Sequence, residues 1–416
     1  MTEKIRVLRI ITRMNIGGPA IHAALLANRL DPARFCTRLV VGEPDSSEGD
    51  LSALVRPGEG VEMIRLRWLR RRIHPWQDLR AFVSILRICW NYQPDLIHTH
   101  MAKAGSLGRA AGWLYNLVGR LTGARRAAWL IHTFHGHVLE GYFSGAASRL
   151  FAGIERWLAR RTDCLIAVSP TIRQAILAKG IGLAAQVRVI RLGLDLAELG
   201  RLDLPNGHRP LRCGLVGRLV PIKNPSLFVQ GLDRASRALP PGALSGAVVG
   251  DGPLKRDVEA QVAGCGAGDW IRLTGWRRDL AACYGGLDLV CITSWNEGTP
   301  VSVIEAMAAG RAVIATDVGG VRDLLQDPDD AREPVPAGGF ALARRGILVN
   351  PGDAAGLSAA LIALSGDAPL RQRLGESARA YALDTYQADR LICEVSELYE
   401  ELMRLGNRRT GDGCMR

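Results

Sequence analysis

The chain has 416 residues, 48% of them hydrophobic and 23% charged. That is the composition of two or three globular domains, and it excludes a disordered chain, a collagen and a disulfide-stapled mini-protein. Of the formal charge of +12, all the excess falls early: residues 1–200 hold 28 Lys/Arg against 15 Asp/Glu, leaving 25 against 26 for the remainder. The asymmetry suggests an anionic partner such as a membrane surface, a phosphate-bearing substrate or nucleic acid, with a solvated Arg-rich face as the plainer alternative.

Short apolar runs alternate with helical patterns. In the first half strands are predicted over residues 7–12, 38–41, 95–98, 128–132 and 164–168. Leu79, Val83, Leu86 and Trp90 recur at helical spacing and predict the core face of a helix. The second half repeats the theme, with strands predicted over 212–216, 246–249, 271–274, 288–292, 312–315 and 346–349. Alternation twice over predicts two parallel-sheet α/β domains. Between them, residues 202–210 are rich in breakers and read as a linker; 326–339 read as an insertion, and the tail after Gly406 as polar and frayed. The nine cysteines have no C-x-x-C spacing and read as buried thiols of a reducing cytoplasm, without disulfides or zinc. The N-terminus lacks the apolar run of a signal peptide, and the longest apolar window, 104–121, is broken by Arg109 and Arg120, so no membrane-spanning helix is predicted.

Ligands of open parallel sheets bind beyond the carboxyl ends of the strands. After the first strand, Gly17-Gly18 precede a helix pattern, a turn that lets backbone N–H groups approach a phosphate; a plain tight turn is the alternative. The absence of G-x-G-x-x-G counts against a nicotinamide enzyme. After the fourth strand come His132, His135 and His137, suited to polar contacts or proton transfer. A metal reading is open, but no carboxylate or cysteine cluster accompanies them. His98 and His100 point to one side of their strand and can equally pack structurally. Arg218 and Lys223, five apart in the Gly/Pro loop GRLVPIKN, suit a diphosphate, the guanidinium by forking across two oxygens and the ammonium as a point charge.

The most informative stretch is SWNEGTPVSVIEAMAAG, residues 294–310. Thr299 suits an N-cap and Pro300 the first helical position, so a helix is predicted to start there and to end at Gly310. That helix is apolar apart from Ser302 and Glu305. A carboxylate there is costly unless hydrogen-bonded, and ribose hydroxyls would satisfy it. The helix N-terminus offers free N–H groups to an anion, with Glu297 just before it.

Taken together, these residues resemble the family-four retaining glycosyltransferases of the GT-B fold, the glycosyl transferases group 1. The most specific element is the E-x7-E pattern of Glu297 and Glu305 within EGTPVSVIEAMAAGRAVIATDVGG; GRLVPIKN, GDGPL and GILVNPGD follow the family order, and the similarity runs from Gly17-Gly18 to the C-terminal helix. The resemblance implies an α/β chain of two Rossmann-like domains facing each other across a cleft. Residues 1–205 would bind the acceptor, completed by a C-terminal helix at 386–405, and residues 211–385 the nucleotide-sugar donor. It implies that Gly17 and Gly18 meet the donor's distal phosphate, that His135 contacts the donor sugar, and that Arg218 and Lys223 hold the diphosphate. Glu297 and Gly298 would lie at the sugar, Thr299, Pro300 and Val301 would present helix amides, Glu305 would bind the ribose, and the base would sit near Trp276-Arg277.

The implied activity is retaining transfer of a hexose or N-acetylhexosamine from a nucleotide-diphosphate sugar, UDP before GDP, to a glycan or polyprenyl-linked acceptor in cell-surface polysaccharide synthesis. No metal or cofactor is expected. The segment Arg65-Leu-Arg-Trp-Leu-Arg-Arg-Arg72, followed by His74-Pro75-Trp76, suits an anionic membrane surface at the cytoplasmic face. Two departures stand out: Arg191-Leu192-Gly193 replaces the family's Pro-Asn-Gly, and the 326–339 insertion is long. Competing readings are a nucleotide-sugar epimerase of the same fold, opposed by E-x7-E with GRLVPIK, and a basic nucleic-acid-binding protein, for which no recognition helix or RNA-binding signature is present.

Overall fold

Strand–helix alternation builds two seven-stranded sheets, each at the centre of its own unit. The structure is a computed structural model and describes residues 3–44, 49–56, 58, 60–123, 127–136, 145–205, 210–327 and 329–411.

The first unit comprises residues 1–194 and 388–416. Its strands are β1 (Ile5–Ile11), β2 (Phe35–Gly42), β3 (Val61–Leu66), β4 (Leu96–His100), β5 (Trp129–Phe134), β6 (Cys164–Ala167) and β7 (Val187–Val189). They lie in the order β3-β2-β1-β4-β5-β6-β7, all parallel. Parallel neighbours need crossover connections, and the intervening helices supply them. The C-terminal helix Ala388–Gly411 lays Leu391, Val395, Leu398, Tyr399 and Leu402 against Val7, Leu26, Phe35, Leu96 and Ile131 of this unit. The chain is therefore helical past Gly406, beyond the point where the sequence suggested fraying; residues 412–416, with Cys414, lie outside the described residues.

The second unit comprises residues 195–387. Its strands are β8 (Leu211–Val216), β9 (Leu244–Val249), β10 (Ile271–Gly275), β11 (Leu289–Ile292), β12 (Ala312–Thr316), β13 (Phe340–Ala343) and β14 (Gly346–Val349), in the order β10-β9-β8-β11-β12-β14-β13. Only β13 runs antiparallel, on β14. The division falls at Leu194, before the breaker-rich stretch. Leu196 and Leu199 are buried, Arg311 donates to the Asp203 carbonyl (2.8 Å) and Arg379 to that of Leu202 (2.6 Å), so these residues fold with the second unit. Residues 206–209 of that stretch, and residue 328 of the insertion, lie outside the described residues.

One core assignment is corrected. The helix Pro75–Tyr92 buries Ala81, Ile85, Leu86, Cys89 and Tyr92, while Leu79 and Trp90 are exposed. At 100° per residue, Leu79, Val83 and Trp90 lie across the helix from the Ala81–Ile85–Cys89 row, and of the four residues of the predicted stripe Leu86 is the one buried in the core. Tyr92 anchors the packed side by donating to the Cys36 carbonyl (2.6 Å). All eight cysteines among the described residues are free thiols. Among the described residues no helix is long and apolar enough to cross a membrane.

Candidate active site

In the second unit, the loops at the carboxyl ends of β8, β9, β11 and β12 are locked together through their backbones. Gly217 follows β8, and Gly250 follows β9 with φ +143°; a Cβ on Gly250 would stand 1.9 Å from the Gly217 carbonyl oxygen, so only glycine permits this approach. The Leu219 amide donates to the Asp251 carbonyl (2.9 Å) and the Leu254 amide to that of Leu219 (3.0 Å). The GDGPL motif thus braces the loop that carries Arg218. Among the described residues the partly buried Arg218 guanidinium makes no hydrogen bond, ion pair or ring contact.

Lys223 ends a short 3-10 turn, Pro221–Lys223. The loop after β11 is stitched to that turn: Thr293 Oγ1 donates to the carbonyls of Lys223 (3.0 Å) and Asn224 (2.9 Å), and the Trp295 amide to that of Ile222 (2.8 Å). The stitching brings Lys223 Nζ to Glu297 Oε1 at 2.5 Å, where Ser294 Oγ also donates (2.6 Å). Glu297 is 8% exposed, and its Oε2 has no hydrogen-bond partner among the described residues. A buried carboxylate with one oxygen doubly satisfied and the other open is oriented to accept from a ligand hydroxyl.

The helix after Glu297 spans Val301–Ala308, one residue shorter at its start than expected. Pro300 occupies the N-cap position with extended backbone (φ −71°, ψ 116°), so Thr299 stands one residue too early to cap. Among the described residues its buried Oγ1 has no partner and no side chain caps this terminus. The Val303 amide donates to the Pro300 carbonyl (3.1 Å), which leaves those of Val301 and Ser302 to water or an anion. At the other end Gly310 takes φ +68° and the Arg311 amide donates to the Ala306 carbonyl (2.9 Å), closing the helix where the sequence placed its end.

Glu305 is partly buried and its Oε2 accepts from Tyr284 Oη (2.8 Å). Burial raises its pKa to about 7, against the opposing pull of the Tyr284 hydrogen bond. Trp276 and Arg277 are exposed on the loop after β10. The charges of both Glu305 and Arg277 act on the Cys283 thiol, which burial pushes up to about 11.

Sequence reasoning missed Gly319. It has φ +54°, and a Cβ there would lie 1.8 Å from the Glu297 carbonyl oxygen. The neighbouring Gly320 amide donates to the Gly298 carbonyl (2.9 Å). The paired glycines of TDVGG, which follow β12, were the available signal: they form the floor on which the Glu297-Gly298 loop rests.

In the first unit, Gly17 leads into the helix Gly18–Arg29, whose N-terminus has Pro19 and no side-chain cap. Around Gly17 the space is open, with Pro19 Cδ 3.9 Å from the place of a Cβ. His135 follows β5, and its Nε2 lies 3.0 Å from His100 Nδ1. His22 packs edge-on against both rings, at centroid distances of 5.5 Å to His100 and 5.0 Å to His135. Candidate ligand nitrogens of His22, His100 and His135 lie within 4.8 Å of one another. Burial holds all three imidazoles well below the usual histidine range, His135 at about 3. His132 turns to Thr99 Oγ1 (2.8 Å) and takes no part in this cluster; His137 lies outside the described residues.

A model described as "Glycosyl transferase 4-like domain" matches residues 17–193, and one described as "Glycosyl transferases group 1" matches residues 210–367. A UDP-Gal:alpha-D-GlcNAc-diphosphoundecaprenol alpha-1,3-galactosyltransferase of Escherichia coli is 25% identical over 63% of this chain and 68% of its own length. The putative glycosyltransferase EpsD of Bacillus subtilis is 24% identical over 82% and 85%. Among solved structures, Anabaena HepE in complex with UDP superposes with a TM-score of 0.71 at 20% identity, covering 95% of this chain and 100% of that one. The chain has the GT-B fold, belongs to the glycosyl transferases group 1 family and is a glycosyltransferase.

Proposed function

We propose that the protein transfers a hexose or N-acetylhexosamine from a nucleotide-diphosphate sugar, a uridine one before a guanosine one, to a glycan or lipid-linked acceptor in cell-surface polysaccharide synthesis, with retention at the anomeric carbon. The observation that carries this is the loop cluster of the second unit: among the described residues Arg218 has no partner, Lys223 lies on Glu297, and the helix end is uncapped beside the orphaned Thr299 hydroxyl. The E. coli relative, named for UDP-Gal and a diphosphoundecaprenol acceptor, and HepE, crystallised with UDP and with UDP-glucose, support the choice of donor and acceptor class.

In this reading Arg218, Lys223 and the amides at Thr299–Val301 bind the diphosphate and stabilise the charge that grows on it as it leaves. Gly17 and Gly18 offer backbone to its distal end. Because those groups supply the positive charge, the reaction needs no divalent cation. Glu297 accepts from sugar hydroxyls, Glu305 from the ribose, the base lies near Trp276-Arg277, and His135 contacts the donor sugar. With no protein nucleophile assigned, the acceptor attacks from the face of the departing phosphate, which takes its proton. Ile73 and Trp76, 68% and 72% exposed in the basic Arg65–Trp76 segment, support docking on an anionic membrane surface at the cytoplasmic face.

A thermal-shift panel of UDP-, GDP- and ADP-sugars tests the donor assignment, since a ligand that binds only the folded state raises Tm. UDP-sugars should shift it most, equally with and without EDTA. No shift from any nucleotide sugar contradicts the reading.

A further inference from the structure

Arg9 is fully buried in β1, and no carboxylate pairs with it among the described residues. Its guanidinium instead meets three neutral groups: Nη1 lies 3.2 Å from His98 Nδ1 and 3.1 Å from His100 Nε2, and Nη2 donates to Tyr399 Oη (3.0 Å). Register places it there, because Arg9 pairs with His98 and Ile11 with His100 across β1 and β4, so Arg9 and both histidines share one face of the sheet. Guanidinium only donates. Each atom facing it must therefore offer a lone pair, or a buried cation would meet another donor at hydrogen-bonding distance.

That requirement propagates. His100 Nε2 accepts from Arg9, so the proton of neutral His100 sits on Nδ1, and that N–H donates to His135 Nε2 (3.0 Å). His135 Nε2 is then the acceptor, and the proton of neutral His135 sits on Nδ1, a buried atom with no partner among the described residues. His98 takes the opposite tautomer: Nδ1 accepts, from Arg9 and from Tyr399 Oη (2.6 Å), and Nε2–H donates to Thr133 Oγ1 (2.7 Å). We propose that Arg9 and His100 are positioning residues that fix His135 as its Nδ1–H tautomer, so that it presents an N–H donor, not a lone pair, to an oxygen of the bound sugar. The contact with sugar rests on the function proposed above; the tautomer lock does not.

The same chain of donors argues against a metal ion at His22, His100 and His135. A metal on His100 Nδ1 would require a proton on Nε2, facing the Arg9 guanidinium, and Nε2 itself is occupied by Arg9. The buried positive charge of Arg9 and the lack of a carboxylate in the triad oppose a dication further. Burial keeps His100 and His135 neutral across the physiological range, so the lock does not titrate there.

The test is a long-range ¹H–¹⁵N correlation spectrum of the full-length, ¹⁵N-histidine-labelled protein, with His135 assigned by its loss in His135→Gln. The expected pattern for His135 is a protonated Nδ1 and an unprotonated Nε2, unchanged on adding zinc; a protonated Nε2, or metal-induced shifts of His100 and His135 at stoichiometric zinc, overturns the lock. His100→Leu should release His135 to the other tautomer and lower kcat about tenfold with little change in donor KM, the cost of one hydrogen bond in the transition state. His100→Asn keeps an N–H near the Nδ1 position and should restore both tautomer and most of kcat. Equal kcat and unchanged His135 signals in both variants overturn the lock. A confirmed tautomer with full activity in His135→Ala supports the lock and overturns only the sugar contact.

Discussion

Lys223 Nζ and Glu297 Oε1 are 2.5 Å apart, joining the turn after β8 to the loop after β11. The pair holds the buried Glu297 side chain in one orientation, and in the function proposed above the remaining N–H donors of the lysine serve a phosphate. Removing either partner strands the other charge. Lys223→Ala should lower kcat by about a hundred- to thousandfold, the range for losing one charge-stabilising donor. Glu297→Ala should reduce kcat more than it weakens UDP binding. Steady-state kinetics with calorimetric UDP affinities check both, and unchanged kinetics in either variant contradict the assignment.

Glu305 should make nucleotide binding depend on pH. In the function proposed above its ionised form accepts ribose hydroxyls, and burial raises its pKa to about 7 in the folded protein against 4.5 normally. Affinity for UDP should therefore rise with pH through about 7 and then level, falling by up to about tenfold per pH unit below it. Between pH 4.5 and 7 the folded state keeps a proton that the unfolded chain releases, so the contribution of this group to stability declines as pH rises across that window. Glu305→Gln should flatten both trends. Calorimetry and thermal melts from pH 5 to pH 8 read them out.

Gly319→Ala should damage the site without touching a ligand. Its Cβ would collide with the Glu297 carbonyl oxygen, and φ +54° disfavours any side chain by about 1–2 kcal/mol. The loop must shift, so kcat should fall together with Tm. A crystal structure of the variant should show Glu297 displaced from Lys223.

Glu155 tests the first unit's core. Its carboxylate accepts from Arg109 Nη2 at 2.6 Å, with both residues almost wholly buried. Glu155→Ala leaves a buried guanidinium unpaired and should cost about 3–5 kcal/mol in chemical denaturation. Leu54→Ala, at an exposed position, should be close to neutral.

Most strands of both sheets were legible because they are short apolar runs between breakers, largely buried as a parallel sheet requires; β10, an edge strand with only Ile271 buried, was found from its sequence run alone. β3, β7 and β13 were not, because they lie at sheet edges: β3 is half-exposed, β7 has three residues, and β13 is antiparallel and only partly buried. Glu297, Lys223 and Glu305 could be singled out because charge in an apolar or Gly-rich setting needs a partner. That Lys223 and Glu297 find each other depends on tertiary stitching through Thr293 and Trp295, which no local pattern encodes. Arg9 escaped notice for the same reason: in sequence it is one cation in an apolar strand, and only β-sheet register sets it beside His98 and His100.

The most direct measurement is a crystal structure with UDP. The diphosphate should lie within hydrogen-bonding distance of Arg218, Lys223 and the amides at the start of Val301–Ala308, with the ribose on Glu305. A diphosphate bound elsewhere, with Arg218 and the helix terminus untouched, would contradict the proposed site.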